Sequence, residues 1–441
     1  MRQNSSYAKL NQPRGLLQVS LKPLAAYESA FGNALYVLSF FFLGRLTEFS
    51  YLPFASAYLG ALGAYFIILN KLPVLSRKSL LTLLFLGFAA RILFVFQEPL
   101  LSDDLYRCLW EGLVTLHGKN PYLLSPADPQ LEALRSAWYH LINHADYPAI
   151  YPPVMILFNA AVAAIKATPF FYKSCLTLVD LALALVLSLR LKKLQLPRRK
   201  MVIYFLHPLP IIEISGNGHH EALVLLTIMT AFYFLDRDKL SAAAVWFSAA
   251  VLSKYFFLIL ISEFRNRRTL LILPALSLLL FAPFFSLNGN IFFSLGAYLK
   301  HWEFNASLYR LGTLLFADNG CLRLLLGSGY LLFWLFISLK VKLPVHHQRP
   351  VMLLTGLLLV SPTVHPWYGL WLLPFLVFYQ FRAGLLFISL LPLSYIVLEG
   401  FQASGVWREN YWITGLIYTP LILALGTSIC KCLTIGRQKA D

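Results

Sequence analysis

The sequence predicts an all-α polytopic membrane protein, and three observations carry that reading. Of 441 residues, 58% are hydrophobic and 13% charged, against about 45–50% and about 25% in a soluble globular domain. The mean hydropathy is +0.65. The apolar residues fall in long runs separated by short basic clusters, so the net charge of +17 marks the loops of a membrane protein and not a nucleic-acid-binding face. A water-soluble enzyme, a disordered chain and a nucleic-acid-binding module are excluded.

A helix needs about 20 apolar residues to cross a bilayer. On that measure the spans are 29–45, 51–69, 79–96, 173–190, 201–214, 221–235, 270–287, 322–339, 350–364, 367–381, 383–399 and 411–430. With the irregular segments included, about 12–14 transmembrane helices are expected. The stretch 151–166 is short and opens with Pro152-Pro153. If it crossed, the basic cluster at 190–200 would share a side with the loop 97–150, against the positive-inside rule, so it is expected to lie in the interface or re-enter. The stretch 240–264 has basic residues at both ends and is expected to form a broken hairpin with Ser253-Lys254 at its tip. Such pieces are tolerated only inside protein or beside a wet cavity. Residues 1–28 and 431–441 form cytoplasmic tails on this reading, and 29–430 is a single membrane domain. The five cysteines show no disulfide or zinc spacing. Cys430 and Cys432 follow the last apolar run, where acylation competes with a simple inert pair.

This topology places the unusual polar motifs on one face, taken as the exterior. Asp103 and Asp104 open a short helix after Ser102. The bland reading is a capped, dipole-favoured helix start, with Asp103–Arg107 and Arg107–Glu111 as i,i+4 partners. The functional reading is a general base, since a carboxylate near the interface can have a tuned pKa. Lys254 lies deep in an apolar stretch, where a cation is costly and a functional candidate by default. Snorkelling is its alternative. Arg310 and His365 could serve the same anion. His219, His220 and Glu221 lack a third spaced metal ligand, so no metal site is expected. Trp302, Trp367 and Tyr368 are interfacial aromatics that could stack on a sugar ring.

The motifs S-D-D-L-Y-R-C-L-W-E-G, G-K-N-P-Y, Y-P-P, N-G-H-H-E-A-L, L-S-K-Y, W-E-F-N-A-S-L-Y and H-P-W-Y-G-L-W-L-L-P follow in that order. Over about residues 80–380 the series resembles the GT-C superfamily of polyprenyl-phosphate-sugar-dependent glycosyltransferases, and within it bacterial mannosyltransferase-like members. Where that family often shows G-H-N-D, this chain has Gly218-His219-His220-Glu221. The resemblance implies a GT-C-like fold with interfacial helices in the first large outer loop. It implies a catalytic base at Asp104, with Asp103 beside it. Donor lipid-phosphate contacts fall on Lys254, Arg310, His365 and Arg107. Sugar or acceptor contacts fall on Glu111, Tyr151, Asn217, His219, Trp302, Asn305, Trp367 and Tyr368. The implied partners are a polyprenyl-phosphate-linked sugar donor, a glycan or glycolipid acceptor and membrane lipids, with no nucleic acid and no cofactor. The implied reaction is an inverting transfer of a hexose, mannose by resemblance, at the outer face of a bacterial inner membrane. The rival class is a multi-spanning transporter or lipid flippase, which predicts inverted repeats and polar residues at the midplane. No repeat is visible here.

Overall fold

The computed structural model describes residues 22–287, 289–341 and 347–438, with side chains from 30 to 427. The N-terminal residues before Lys22, residues 439–441 and the side chains of Cys430 and Cys432 lie outside the described residues. The architecture is all-helical. Among the described residues the only β-type pairing is an isolated parallel bridge between Phe304 and Thr363.

Six helices are long and apolar enough to cross a membrane: Tyr51–Asn70, Arg77–Val95, Pro169–Lys193, Arg267–Phe284, Asn319–Leu339 and Arg382–Ser404. Six shorter apolar helices accompany them, at Ala30–Leu43, Pro153–Lys166, Glu221–Leu235, Leu240–Val251, Gln348–Val360 and Tyr411–Thr427. The chain is therefore a polytopic membrane protein. We label the first helices α1 (Lys22–Leu43), α2 (Tyr51–Asn70), α3 (Arg77–Val95), α4 (Asp104–Leu116), α5 (Pro153–Lys166) and α6 (Pro169–Lys193).

Local chemistry sets the helix starts. Ser76 Oγ accepts from the Ser79 N–H to open α3. Thr168 accepts from Phe171 with Pro169 at the first position of α6, and Asn266 caps Arg267–Phe281 through the Thr269 N–H. Each satisfies a donor that the helix leaves free. In the last turn of α6, Arg190, Lys192 and Lys193 favour the negative end of the dipole.

Two predicted spans are corrected. Residues 201–214 do not form one helix. A short helix, Met201–Phe205, breaks at His207-Pro208, and a π-helix runs over Ile211–Gly216. The prolines are the cause, since each removes a donor and clashes with the turn before it. Pro210 has no N–H for the Leu206 carbonyl, and the Tyr36 hydroxyl donates to it instead at 3.1 Å. Tyr65 donates to the Ile203 carbonyl at 2.8 Å and Arg91 to that of Phe205 at 2.7 Å. A broken helix is viable here because it is buried and its freed carbonyls are answered by neighbouring helices. Residues 367–381 likewise become a 3-10 turn, Pro366–Trp371, and the short helix Leu373–Leu376, packed in the interior.

Arg91 also binds Asp180 on α6, Nε to Oδ2 at 2.6 Å, with both side chains fully buried. The Tyr204 hydroxyl donates to the other carboxylate oxygen. This network ties α3, α6 and the broken segment together. Helix α5 has 14 residues, roughly 21 Å of length against a hydrocarbon core of about 30 Å. It packs on α4. Gly112 makes that approach possible, because a Cβ there would lie 2.4 Å from the Asn159 carbonyl oxygen. Residues 240–264 form the expected broken pair, the helix Leu240–Val251 and a 3-10 helix over Tyr255–Glu263, with Lys254 extended between them.

Candidate active site

Helix α4 starts at Asp104, and its first turns carry the acidic motif. The Asp104 N–H donates to Ser102 Oγ at 3.3 Å. Asp103 is exposed and Asp104 half-buried. The expected Asp103–Arg107 pair does not form. Asp103 Oδ1 instead accepts from Asn143 Nδ2 at 2.6 Å, and the same nitrogen donates to Asp104 Oδ1 at 2.7 Å.

Arg107 turns away from the acidic pair. Its Nε donates to Glu111 Oε1 at 2.9 Å. Nη1 donates to the His144 carbonyl at 3.0 Å and Nη2 to that of Tyr147. The guanidinium thus fastens the segment 143–147 to α4, and the Arg107–Glu111 partnership read from the i,i+4 spacing is present. His144 sits at φ +44, in the left-handed region that a non-glycine residue seldom adopts.

These groups help to line a cleft of about 810 Å³, counting the space open to solvent. Its lining includes Asp104, His144, Tyr147 and Tyr151. Tyr298, Trp302, His365, Trp367 and Tyr368 line it as well. Several of these aromatic rings are stacked. The His365 ring lies 4.3 Å from that of Trp367 at an interplanar angle of 3°. Trp367 lies 3.9 Å from His219 at 23°. The hydroxyls of Tyr298 and Tyr368 are 2.5 Å apart. Trp302 packs on His144 and Tyr147 with centroids at 5.1 and 5.5 Å. Segments from four distant parts of the chain thus meet around one opening.

Lys254 stands behind two of the lining rings. Its Nζ lies 5.5 Å from the Tyr151 ring, 5.4 Å from Tyr368 and 5.2 Å from Trp371. It is buried and ion-paired with the fully buried Glu221. Asp104 thus lines the cleft with Tyr151 and Tyr368, the rings that Lys254 approaches.

Three other sequence candidates lie elsewhere. Arg310 is exposed and sits 4.3 Å over the Tyr411 ring. Asn305 is buried at the Phe304–Thr363 bridge, its Nδ2 donating to the Val364 carbonyl at 3.3 Å and its N–H to Glu409 Oε2 at 2.6 Å. Asn217 Oδ1 accepts from the Leu101 N–H at 3.1 Å and so braces the approach to Asp103. It lines a separate, mainly apolar crevice of about 370 Å³. Gly218, at φ +74 and with a would-be Cβ only 2.4 Å from Leu105 Cδ1, closes the same turn. His219 is buried, with Nε2 3.5 Å from Glu213 Oε2. Among the described residues no group of three or more His, Cys, Asp and Glu is arranged to hold a metal ion.

The electrostatics suit a proton acceptor. Burial raises the Asp104 pKa above its ordinary value. His219 opposes the rise, Asp103 adds to it and the Asn143 bond opposes it. Asp103, though exposed overall, has its carboxyl partly screened from water, and that desolvation raises its pKa against the Asn143 bond. Burial lowers His144 and takes His365 down to about 3, holding it neutral.

Residue reasoning missed Asn143, His144, Tyr147 and Tyr298. The first three stand in an irregular segment where no periodicity points at a partner, and Tyr298 stands on the short helix Phe293–His301 in a loop far along the chain.

An all-helical membrane body with a carboxylate and stacked aromatic rings lining one open cleft fits an enzyme that works on a polar, ring-shaped substrate at a membrane. Residues 18–264 match the MptA_B family, described as alpha-(1->6)-mannopyranosyltransferase, N-terminal domain. The chain belongs to that family, and it is a membrane glycosyltransferase. No curated protein and no solved structure matches it. The matched region holds Asp103, Asp104, Asn143, Tyr151 and Lys254. The aromatic wall from Tyr298 to Tyr368 lies beyond it.

Proposed function

We propose that the protein transfers a mannosyl residue from polyprenyl-phosphate-mannose to a hydroxyl of a glycan or glycolipid acceptor. The reaction takes place at the outer face of a bacterial inner membrane, with inversion at the anomeric carbon. The family description makes α-(1→6) the linkage of choice, and an inverting enzyme reaches it from a β-linked donor. The observation that carries the proposal is the shared cleft, which Asp104, His365 and Trp367 line together and where Lys254 lies beside the Tyr151 and Tyr368 rings.

In this reading Asp104 accepts the acceptor hydroxyl's proton as the oxygen attacks the anomeric carbon. The bond from that carbon to the phosphate oxygen breaks, and the polyprenyl phosphate leaves with the electron pair. Lys254, aimed by Glu221, meets the charge growing on that phosphate in a low-dielectric setting. His365, neutral, donates a hydrogen bond to the same group. Trp302, Trp367 and Tyr368 offer ring faces and edges to the sugar. Arg107 acts as scaffold, and Arg310 has no part.

The test is radiolabelled transfer in membranes with and without the protein, from polyprenyl-phosphate-mannose or from nucleotide-linked mannose. Label is expected in product only from the lipid donor, and Asp104→Asn is expected to abolish it with expression and melting temperature unchanged. Transfer from the nucleotide sugar overturns the donor assignment. Wild-type turnover by Asp104→Asn overturns the base.

A further inference from the structure

We infer that Asn143 is the positioning residue for the acidic pair, its single carboxamide NH2 giving one hydrogen to Asp103 and the other to Asp104. The inference deepens the proposed function and rests on Asp104 as the base.

The geometry admits only one orientation of this amide. Ionised carboxylates are acceptors alone, so the NH2 side must face them, and it has two hydrogens to give. The bonds of 2.6 and 2.7 Å place the two Oδ1 atoms no more than about 5 Å apart. Two carboxylates that close resist being ionised together. Hydrogen bonds to their charged forms offset that resistance. The clamp also occupies Oδ1 of Asp104, so Oδ2 is the oxygen left for a substrate proton.

Asn143 is itself aimed. Arg107 donates to its carbonyl at 3.4 Å, to that of His144 at 3.0 Å and to that of Tyr147. Glu111 holds the guanidinium from one turn further along α4. The helix that bears the base therefore also anchors, through Arg107, the loop that orients it. A base held in one geometry is worth a large factor in rate, since small misplacements at the reacting atoms are costly.

The other charged or titratable groups facing Asp104 are Asp103 and Glu111 on its own element, His219 and Glu221 across the turn, His144 in the loop, and Cys108, Tyr151, Tyr298 and Tyr395. Asp103 is the nearest like charge, and it shares the clamp. This makes a double variant informative.

The experiment is kcat/KM against pH, with polyprenyl-phosphate-mannose as donor, for wild type, Asn143→Ala, Asp103→Asn, Asn143→Ala with Asp103→Asn, and Asp104→Asn. Asn143→Ala is expected to move the acidic limb upward by about one pH unit and to lower the plateau. Adding Asp103→Asn, which removes the neighbouring charge, is expected to bring the limb back. A residue that only stabilised the loop would move neither. If Asn143→Ala does not fold, Asn143→Ser keeps one donor and is expected to show a smaller upward shift. An unmoved limb in whichever variant folds, or one that Asp103→Asn fails to restore, overturns the inference. Asp104→Asn separates the two layers. If it is inactive while Asn143→Ala is unshifted, the base assignment stands and the clamp falls. If it is active, the base assignment itself falls.

Discussion

Gly112→Ala is expected to damage catalysis more than stability, and the reason lies in the contact between α4 and α5. A Cβ at position 112 would stand 2.4 Å from the Asn159 carbonyl oxygen, 2.6 Å from its carbon and 3.0 Å from the Ala160 nitrogen. All three are backbone atoms, so no side chain can swing aside. Asn159 is further tied to α6, where the Tyr172 hydroxyl donates to its Oδ1 at 2.8 Å. To bring the closest pair to an ordinary 3.4 Å contact, the helices must part by about 1 Å. Overpacking of this kind costs about 1–3 kcal/mol. Exchange of a helical glycine for alanine returns about 1 kcal/mol, so the net loss of stability is about 0–2 kcal/mol. The displaced helix carries Asp104, Arg107 and Glu111. A misplacement of about 1 Å at a reacting group can lower the rate by about 10²-fold. The assay is kcat/KM for mannosyl transfer beside thermal unfolding in detergent. Gly63→Ala is the control, since nothing lies within 4 Å of a Cβ there. Wild-type turnover and melting temperature for Gly112→Ala would refute the close approach and with it the rigid placement of α4.

Asp104 supplies an opposition of signs. Its pKa is raised in the folded state, so the native protein binds that proton more tightly than the unfolded chain does. Its contribution to stability is complete below the ordinary carboxylate value, about 3.9, and is lost as pH rises through the folded value. On the proposed mechanism activity needs the ionised form and is gained over the same interval. Falling pH is therefore expected to abolish transfer while leaving this term in stability favourable, which parallel pH scans of turnover and melting will check. Asp180→Asn strips a fully buried Arg91 of its charge partner and is expected to cost about 3–5 kcal/mol, read as a loss of folded protein on detergent size exclusion and a lowered Tm. Lys254→Met alone leaves Glu221 buried and unpaired, so both folding and donor use are expected to suffer. Lys254→Met with Glu221→Gln is expected to recover the melting temperature but not the donor KM, and full recovery of donor KM would remove Lys254 from phosphate binding.

Much of the fold is written locally. An apolar run of span length is read by the bilayer wherever it occurs. The helix Glu221–Leu235 has the bounds expected of it, and α2 and α3 begin and end within two residues of theirs. The caps at Ser76, Thr168 and Asn266 act over three residues. The break at Lys254 follows from basic residues at both ends of its segment. The carboxylates and the aromatic motifs were visible as unusual chemistry in an oily chain.

The assembly of the site was not local. Asn143 reaches Asp103 across 40 positions, and no periodicity links an asparagine in an irregular loop to a carboxylate at a helix start. Spacing alone offered Asp103 to Arg107, but the guanidinium found three backbone carbonyls and Glu111. Arg310 was a further candidate for the same anion as Lys254, yet its side chain is exposed, lies over the Tyr411 ring and does not line the cleft. The segment 201–216 has the composition of a span and is nonetheless broken, because Tyr36, Tyr65 and Arg91 from other helices accept the task of satisfying its carbonyls. The sequence by itself determined the solvent, the helices and the residue types available for chemistry, since these depend on near neighbours and on transfer between water and lipid. Only the tertiary structure decided which of those residues share a cleft, because hydrogen bonds and ion pairs in a low-dielectric interior are allotted by three-dimensional proximity, where distance along the chain counts for nothing.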